Sequence, residues 1–136
     1  MLDVKKKECQ KRHLAVQDTL SVVNGKWKLV ILAILMEGKK RFRELSREAG
    51  ISPRILSKEL QDLEMNKLVS RTVCNTKPVT VEYAVTAYSK TLEEVIEAMN
   101  NWGIQHREEI TGRKYAQVSN PEISISSNLE KEEILR

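Results

Sequence analysis

Phe42-Arg43-Glu44-Leu45-Ser46-Arg47-Glu48-Ala49-Gly50-Ile51-Ser52-Pro53-Arg54-Ile55-Leu56-Ser57-Lys58-Glu59-Leu60-Gln61-Asp62-Leu63-Glu64-Met65 is the stretch whose reading decides the fold. Phe42 and Leu45 lie three apart with Ala49 four further on, so they share one face of a short helix that closes at Gly50. Its other face is charged. Ser52 can accept a backbone N–H as N-cap, while Pro53 brings a preset φ and lacks only a donor that any first helical turn would leave orphaned. A second helix therefore starts at Ser52-Pro53 and runs to about Met65. Ile55, Leu56, Leu60 and Leu63 form its inward stripe, leaving Arg54, Ser57, Lys58, Gln61 and Asp62 facing elsewhere. Two short helices are thus joined by a tight, glycine-containing turn.

Upstream, Leu14, Val16, Leu20, Val22 and Val23 mark a helix over 14–23 that Asn24-Gly25 stops. Lys26–Met36 follows, apolar on almost every side, as expected of a helix surrounded by others. Gly38 ends it, and Lys39-Lys40-Arg41 reads as a basic connection. Downstream, Leu68–Asn75 is rich in Val and Thr, and Val79, Val81, Tyr83 and Val85 alternate with Thr80, Glu82 and Ala84. These predict the two strands of a hairpin, with Thr76-Lys77-Pro78 as the turn. Thr86 can cap a longer helix in which Tyr88, Leu92, Val95, Ile96, Met99 and Trp102 recur at helical spacing, out to about Glu109. From Gly112 the chain turns polar. One domain over 1–112 and a polar, flexible tail over 113–136 are expected. The fold class is mainly α with a small β-hairpin (α+β), in the order that a winged helix-turn-helix needs.

Charge placement sharpens this. The 136 residues carry 23 Lys and Arg against 19 Asp and Glu, a net charge of +4. Between Lys39 and Lys77 alone there are ten basic residues against five acidic ones, so the segment's net +5 exceeds that of the whole chain. A basic concentration on a helix-turn-helix is the electrostatic footprint of a nucleic-acid binder. The longest apolar run, Leu29–Met36, is eight residues, far short of the roughly 20 a membrane-spanning helix needs. No signal-peptide core follows the lysines at 5–7, and two cysteines are too few for a disulfide framework, so a cytoplasmic, nucleoid-associated protein without a membrane role is expected. A Gly-rich phosphate loop, HExxH, Gly-x-Ser-x-Gly and a plausible Cys, His and Asp grouping are all missing, so an enzyme is not expected.

Several motifs together carry a resemblance: Gly25-Lys26-Trp27, Arg41-Phe42-Arg43-Glu44-Leu45, and Ile51-Ser52-Pro53-Arg54-Ile55-Leu56 with Leu60 and Leu63-Glu64. Leu68-Val69-x-Arg71 and Pro78-Val79-x-Val81-Glu82-Tyr83-x-Val85-Thr86 complete the set. Over about Cys9–Glu109 the chain resembles the HxlR-type bacterial transcription regulators, a winged-helix family of MarR-like architecture. The resemblance implies a homodimer joined through its N- and C-terminal helices, two recognition helices and two wings offered to double-stranded DNA, no catalysis and no cofactor. The chain departs from the family pattern at Lys67 and Ser89, where glycine is frequent. It departs again at Cys9, which lies sixteen residues before Gly25, farther than the cysteine of redox-sensing members.

On this reading Ser52, Pro53, Arg54, Ser57 and Lys58 form the early, exposed face of the recognition helix, against the plainer alternative of a solvated face. Arg41 and Arg43 either clamp phosphate at a helix N-terminus or pair with Glu44 and Glu48. Lys77 and Arg71 sit in the wing, where they can reach phosphate or the minor groove, and Arg71 can equally brace Glu64 or Glu82. Trp27 reads as core. Leu14, Leu20, Leu92, Val95, Ile96, Met99 and Trp102 are the candidate dimer interface. Cys9, flanked by Lys5, Lys6, Lys7, Lys11 and Arg12, is a candidate redox thiol, a setting that favours thiolate chemistry unless burial opposes it. Cys9 and His13 are two ligands, and two do not make a metal site, so no metal is expected. A small-molecule or oxidant effector stays open, and a winged-helix module that binds protein instead of DNA is the alternative of a different class.

Overall fold

A computed structural model of the chain describes residues 2–117. Most of the polar tail expected over 113–136 lies outside the described residues. The chain divides into two units, Met1–Glu93 and Glu94–Arg136.

In the first unit, α1 (Leu2–Val23) begins twelve residues earlier than the apolar pattern predicts. Lys5, Lys6, Lys7, Glu8, Lys11 and Arg12 carry no hydrophobic period, but all are good helix formers. α2 (Lys28–Met36) supplies Ile31, Leu32 and Leu35, each at most 1% exposed. Trp27, expected in the core, is the N-cap residue and only half-buried, with the Lys26 ammonium 4.7 Å from its ring centroid.

Lys39-Lys40-Arg41 is more than a connection. Lys40–Arg41 forms a two-residue strand, β1, antiparallel to the later strand β3 (Thr80–Val85), with Lys40 opposite Tyr83 and Arg41 opposite Glu82. Two residues are too short to show a period, so sequence patterning could not reveal it. α3 (Phe42–Ala49) ends at Gly50, whose φ of 67° is the left-handed cap that glycine adopts without Cβ strain. α4 (Pro53–Met65) starts as expected, with Ser52 Oγ accepting from the Ile55 N–H at 3.4 Å and Pro53 in the first turn. Leu56, Leu60 and Leu63 are buried, but Ile55 is 43% exposed. One residue is 100° of helix, and Ile55 falls on the flank of the stripe instead of inside it.

α4 closes in a Schellman motif: the Leu68 N–H donates to Leu63 O at 2.9 Å and the Lys67 N–H to Glu64 O at 3.0 Å. Lys67 takes the left-handed position, φ 63°, so this departure from glycine keeps the turn at the cost of Cβ strain. β2 (Val69–Cys74) then pairs antiparallel with β3 from Val69 opposite Val85 to Cys74 opposite Thr80, giving the sheet order β1-β3-β2. At the hairpin end Thr76 Oγ1 donates to Pro78 O at 2.8 Å.

The helix expected from Thr86 opens as a 3-10 segment, Tyr88–Leu92. Thr86 still acts as a cap, its Oγ1 accepting from the Ser89 N–H at 3.2 Å. Ser89 is fully buried and its hydroxyl donates a hydrogen bond to Leu68 O, fastening this segment to the root of the hairpin in a way glycine could not. The second unit holds nearly all of α5 (Glu93–Thr111), which runs through Gly103. No single described helix is long and apolar enough to cross a membrane.

Candidate nucleic-acid interface

Arg54, Ser57, Lys58 and Gln61 stand at i, i+3, i+4 and i+7 of α4, so they share one face, and all four are exposed. The face exists because Leu56, Leu60 and Leu63 hold the opposite side of α4 in the core. Ser52 and Pro53 lie exposed at its N-terminal edge, with the Ser52 hydroxyl engaged as cap.

Arg41 and Arg43 are exposed on either side of Phe42, whose ring is tilted against Tyr83 of β3 with centroids 6.3 Å apart. That contact anchors the start of α3 to the sheet. It brings Arg41 and Arg43 together with Pro78, Val79, Thr80 and Val81 around a cleft of about 550 Å³. Arg71 is exposed on β2 opposite Tyr83, and Lys77 is exposed at the hairpin turn. Among the described residues, Arg41, Arg43, Arg54, Lys58, Arg71 and Lys77 form no ion pair. The pairings weighed for Arg41 and Arg43 with Glu44 and Glu48, and for Arg71 with Glu64 and Glu82, do not occur. Glu48 takes Lys40 at 2.9 Å and Glu82 takes Lys39 at 3.3 Å. The Glu48 hydrogen bond and charge raise the Lys40 pKa above the ordinary lysine value.

Sequence reasoning missed Lys28. It is buried at the start of α2, with Nζ 2.6 Å from Glu59 Oε2 and 3.3 Å from Asp62 Oδ2, both on α4. Burial disfavours its charged form, but the hydrogen bonds and charges of Glu59 and Asp62 outweigh that and leave its pKa raised. The available signal was one lysine entering an apolar run and two carboxylates three apart on a later helix.

The candidate dimer residues are divided between the two units. Leu14 and Leu20 on α1 are 57% and 58% exposed, and Leu92 is half-buried in the 3-10 segment instead of on the long helix. On α5, Val95, Met99 and Trp102 are exposed and Ile96 is half-buried. Glu94, Val95, Ala98, Met99 and Trp102 line an open cleft of about 650 Å³, and the Trp102 ring stacks on His106 at 4.7 Å. Cys9 is exposed on α1, its Sγ 3.5 Å from His13 Nε2.

The arrangement of two short helices, a capped second helix and an antiparallel hairpin wing is shared with known regulators. The model of the HxlR-like helix-turn-helix family matches residues 22–111. The chain belongs to that family. The uncharacterised HTH-type transcriptional regulator YtcD of Bacillus subtilis is 36% identical over 110 residues, covering 80% of this chain and 87% of YtcD. The redox regulator HypR in its reduced form superposes with a TM-score of 0.67 at 36% identity, covering 73% of this chain and 99% of HypR. A MarR-family transcriptional regulator from Enterococcus faecalis V583 superposes with a TM-score of 0.62 at 33% identity, covering 74% of this chain and 93% of its own. This HxlR-like protein is a winged-helix transcriptional regulator of helix-turn-helix type and not an enzyme.

Proposed function

We propose that this HxlR-like protein binds a near-palindromic operator in double-stranded DNA as a homodimer, with α4 in the major groove and the β2-β3 wing on the flanking backbone or minor groove. The observation that carries this is the set of exposed cations on α4, the start of α3 and the wing that form no ion pair among the described residues. Arg54, Ser57 and Lys58 reach base edges and adjoining phosphates, with Ser52 and Pro53 at the groove's entrance. Arg41 and Arg43 hold phosphate beside the wing, as do Arg71 and Lys77 along it. The exposed apolar residues of α1 and α5 meet a second copy, and residues 1–112 act as the regulatory domain ahead of a polar tail. The site of action is the nucleoid, in the cytoplasm.

A genomic footprint of the bound protein, followed by titration of a footprinted duplex against salt, tests the reading. A two-fold symmetric footprint with half-sites about 34 Å apart, and affinity falling steeply with salt, is expected. A protein-interaction module gives no footprint and no steep salt dependence. A second reading, control of DNA affinity through oxidation of Cys9, is favoured by the exposure of that thiol beside His13 and by the likeness to HypR.

A further inference from the structure

Among the described residues Lys28 is the only charged side chain that is buried, and both of its partners belong to the proposed recognition helix. Burying an ammonium is costly unless it is paired and hydrogen-bonded. Here two carboxylates meet it, yet an apolar trio of similar volume often serves stability equally well. What the ion cluster supplies that packing does not is a directional tie: α4 is held to the first residue of α2 by Glu59 and Asp62, three residues apart on one flank. The same tie resolves a conflict of charge. α4 carries two cations, Arg54 and Lys58, against three carboxylates, Glu59, Asp62 and Glu64, a poor balance for a helix that approaches a polyanion. The flank bearing Glu59 and Asp62 adjoins the face bearing Arg54, Ser57, Lys58 and Gln61. A helix is only about 10–12 Å across, and the Debye length in physiological salt is about 8 Å, so unpaired carboxylates there oppose phosphate on the neighbouring face.

We propose that Lys28 is a positioning residue for DNA recognition. It fixes the rotation of α4 on α2 and draws Glu59 and Asp62 away from the face that meets DNA. This rests on the DNA-binding reading above, and the test separates the two.

The wild-type protein first enriches duplexes from a randomised library. The affinity for one enriched duplex and for a scrambled duplex is then measured across a salt series, for wild type, Lys28→Met, and the triple variant Lys28→Met, Glu59→Gln, Asp62→Asn. Circular dichroism fixes a temperature at which each variant is folded. Lys28→Met is expected to lower the ratio of enriched to scrambled affinity tenfold or more, about 1.4 kcal/mol, with a larger loss at low salt. The triple variant, freed of unpaired carboxylates, is expected to regain scrambled-duplex affinity while its ratio stays low. A folded Lys28→Met with the wild-type ratio overturns the proposal, whether its overall affinity holds or falls equally on both duplexes. Where Lys28→Met does not fold, the triple variant decides: a wild-type ratio overturns the proposal and a lowered one supports it. A wild type that enriches no duplex overturns the DNA-binding reading itself, and the role of Lys28 with it.

Discussion

Between Phe42 and Met65 the apolar residues Leu45, Leu56, Leu60 and Leu63 are at most 1% exposed, and Arg43, Arg54 and Lys58 stand open to solvent. In α1 and α5 the apolar residues are open to solvent as well: Leu14, Leu20, Met99 and Trp102 are more than half exposed, and α5 has no buried residue. The helix-turn-helix is a finished surface, whose apolar stripe has found its partners within the chain and whose charges are left for a ligand. The terminal helices are unfinished ones. Large apolar side chains recurring at helical spacing without cover mark a surface suited to protein contact, so on the reading proposed above the first region meets DNA and the second another copy.

The largest expected effect comes from spoiling the unfinished surface. Met99→Glu with Trp102→Glu, or Leu20→Glu on the other helix, should give monomers by light scattering at micromolar concentration, where the wild type should be a dimer. Operator affinity should fall with dimerisation, by about 10²–10⁴, because the second half-site no longer binds as part of one molecule. A wild type that is monomeric at that concentration and stays so on DNA breaks the comparison outright.

Next come the charges on the finished surface. Arg54→Ala should cost about 1–3 kcal/mol per half-site and relax preference at one operator position, as loss of a base contact does. Lys77→Ala should weaken operator and random duplex about equally, and make the slope of log affinity against log salt shallower by roughly 0.9 per contact, doubled in a symmetric dimer. Wild-type affinity and slope in both variants would place the protein-interaction reading ahead.

The legibility of the sequence followed the same division. The helix-turn-helix was legible because its signals are local: Gly50 at a left-handed cap, Ser52-Pro53 at a helix start, and leucines at helical spacing. β1 was not, because two residues become a strand only when β3 arrives forty residues later. Nor was the Lys28 cluster, which depends on the rotation of α4 against α2. Val95, Met99 and Trp102, expected at an interface, are exposed on α5, whereas Leu92, expected on the same helix, lies in the 3-10 segment, which briefly keeps nearly the same spacing.

A smaller effect sharpens the boundary of the finished region. Lys67 holds the left-handed position of the Schellman motif between α4 and β2 at φ 63°, where a Cβ is strained. Lys67→Gly removes that strain and loses some through the freer unfolded chain. A net gain of about 1 kcal/mol is expected, read as a rise in the denaturant midpoint at unchanged m. A loss of stability would mean that the Lys67 side chain contributes more than its backbone costs.

The smallest expected effect belongs to Cys9. The thiol is exposed and touches His13, which gives it access to oxidants. Among the described residues its hydrogen-bond partner is His13 on the same helix and no residue of the surface proposed for DNA. Its neighbours on α1 are the charged residues that carry no hydrophobic period, it lies sixteen residues before Gly25, and the other cysteine, Cys74, is half-buried in the wing and unbonded. Oxidation at such a place changes affinity only if it changes how two copies meet, which makes Cys9 a probe of the unfinished surface and not of the finished one. Diamide is therefore expected to alter operator affinity by less than tenfold, about 1.4 kcal/mol, in wild type and in Cys9→Ser alike. A larger change present in wild type and abolished in Cys9→Ser would make the thiol-based reading the better one. Non-reducing electrophoresis of the same samples would then show whether a disulfide between copies carries it.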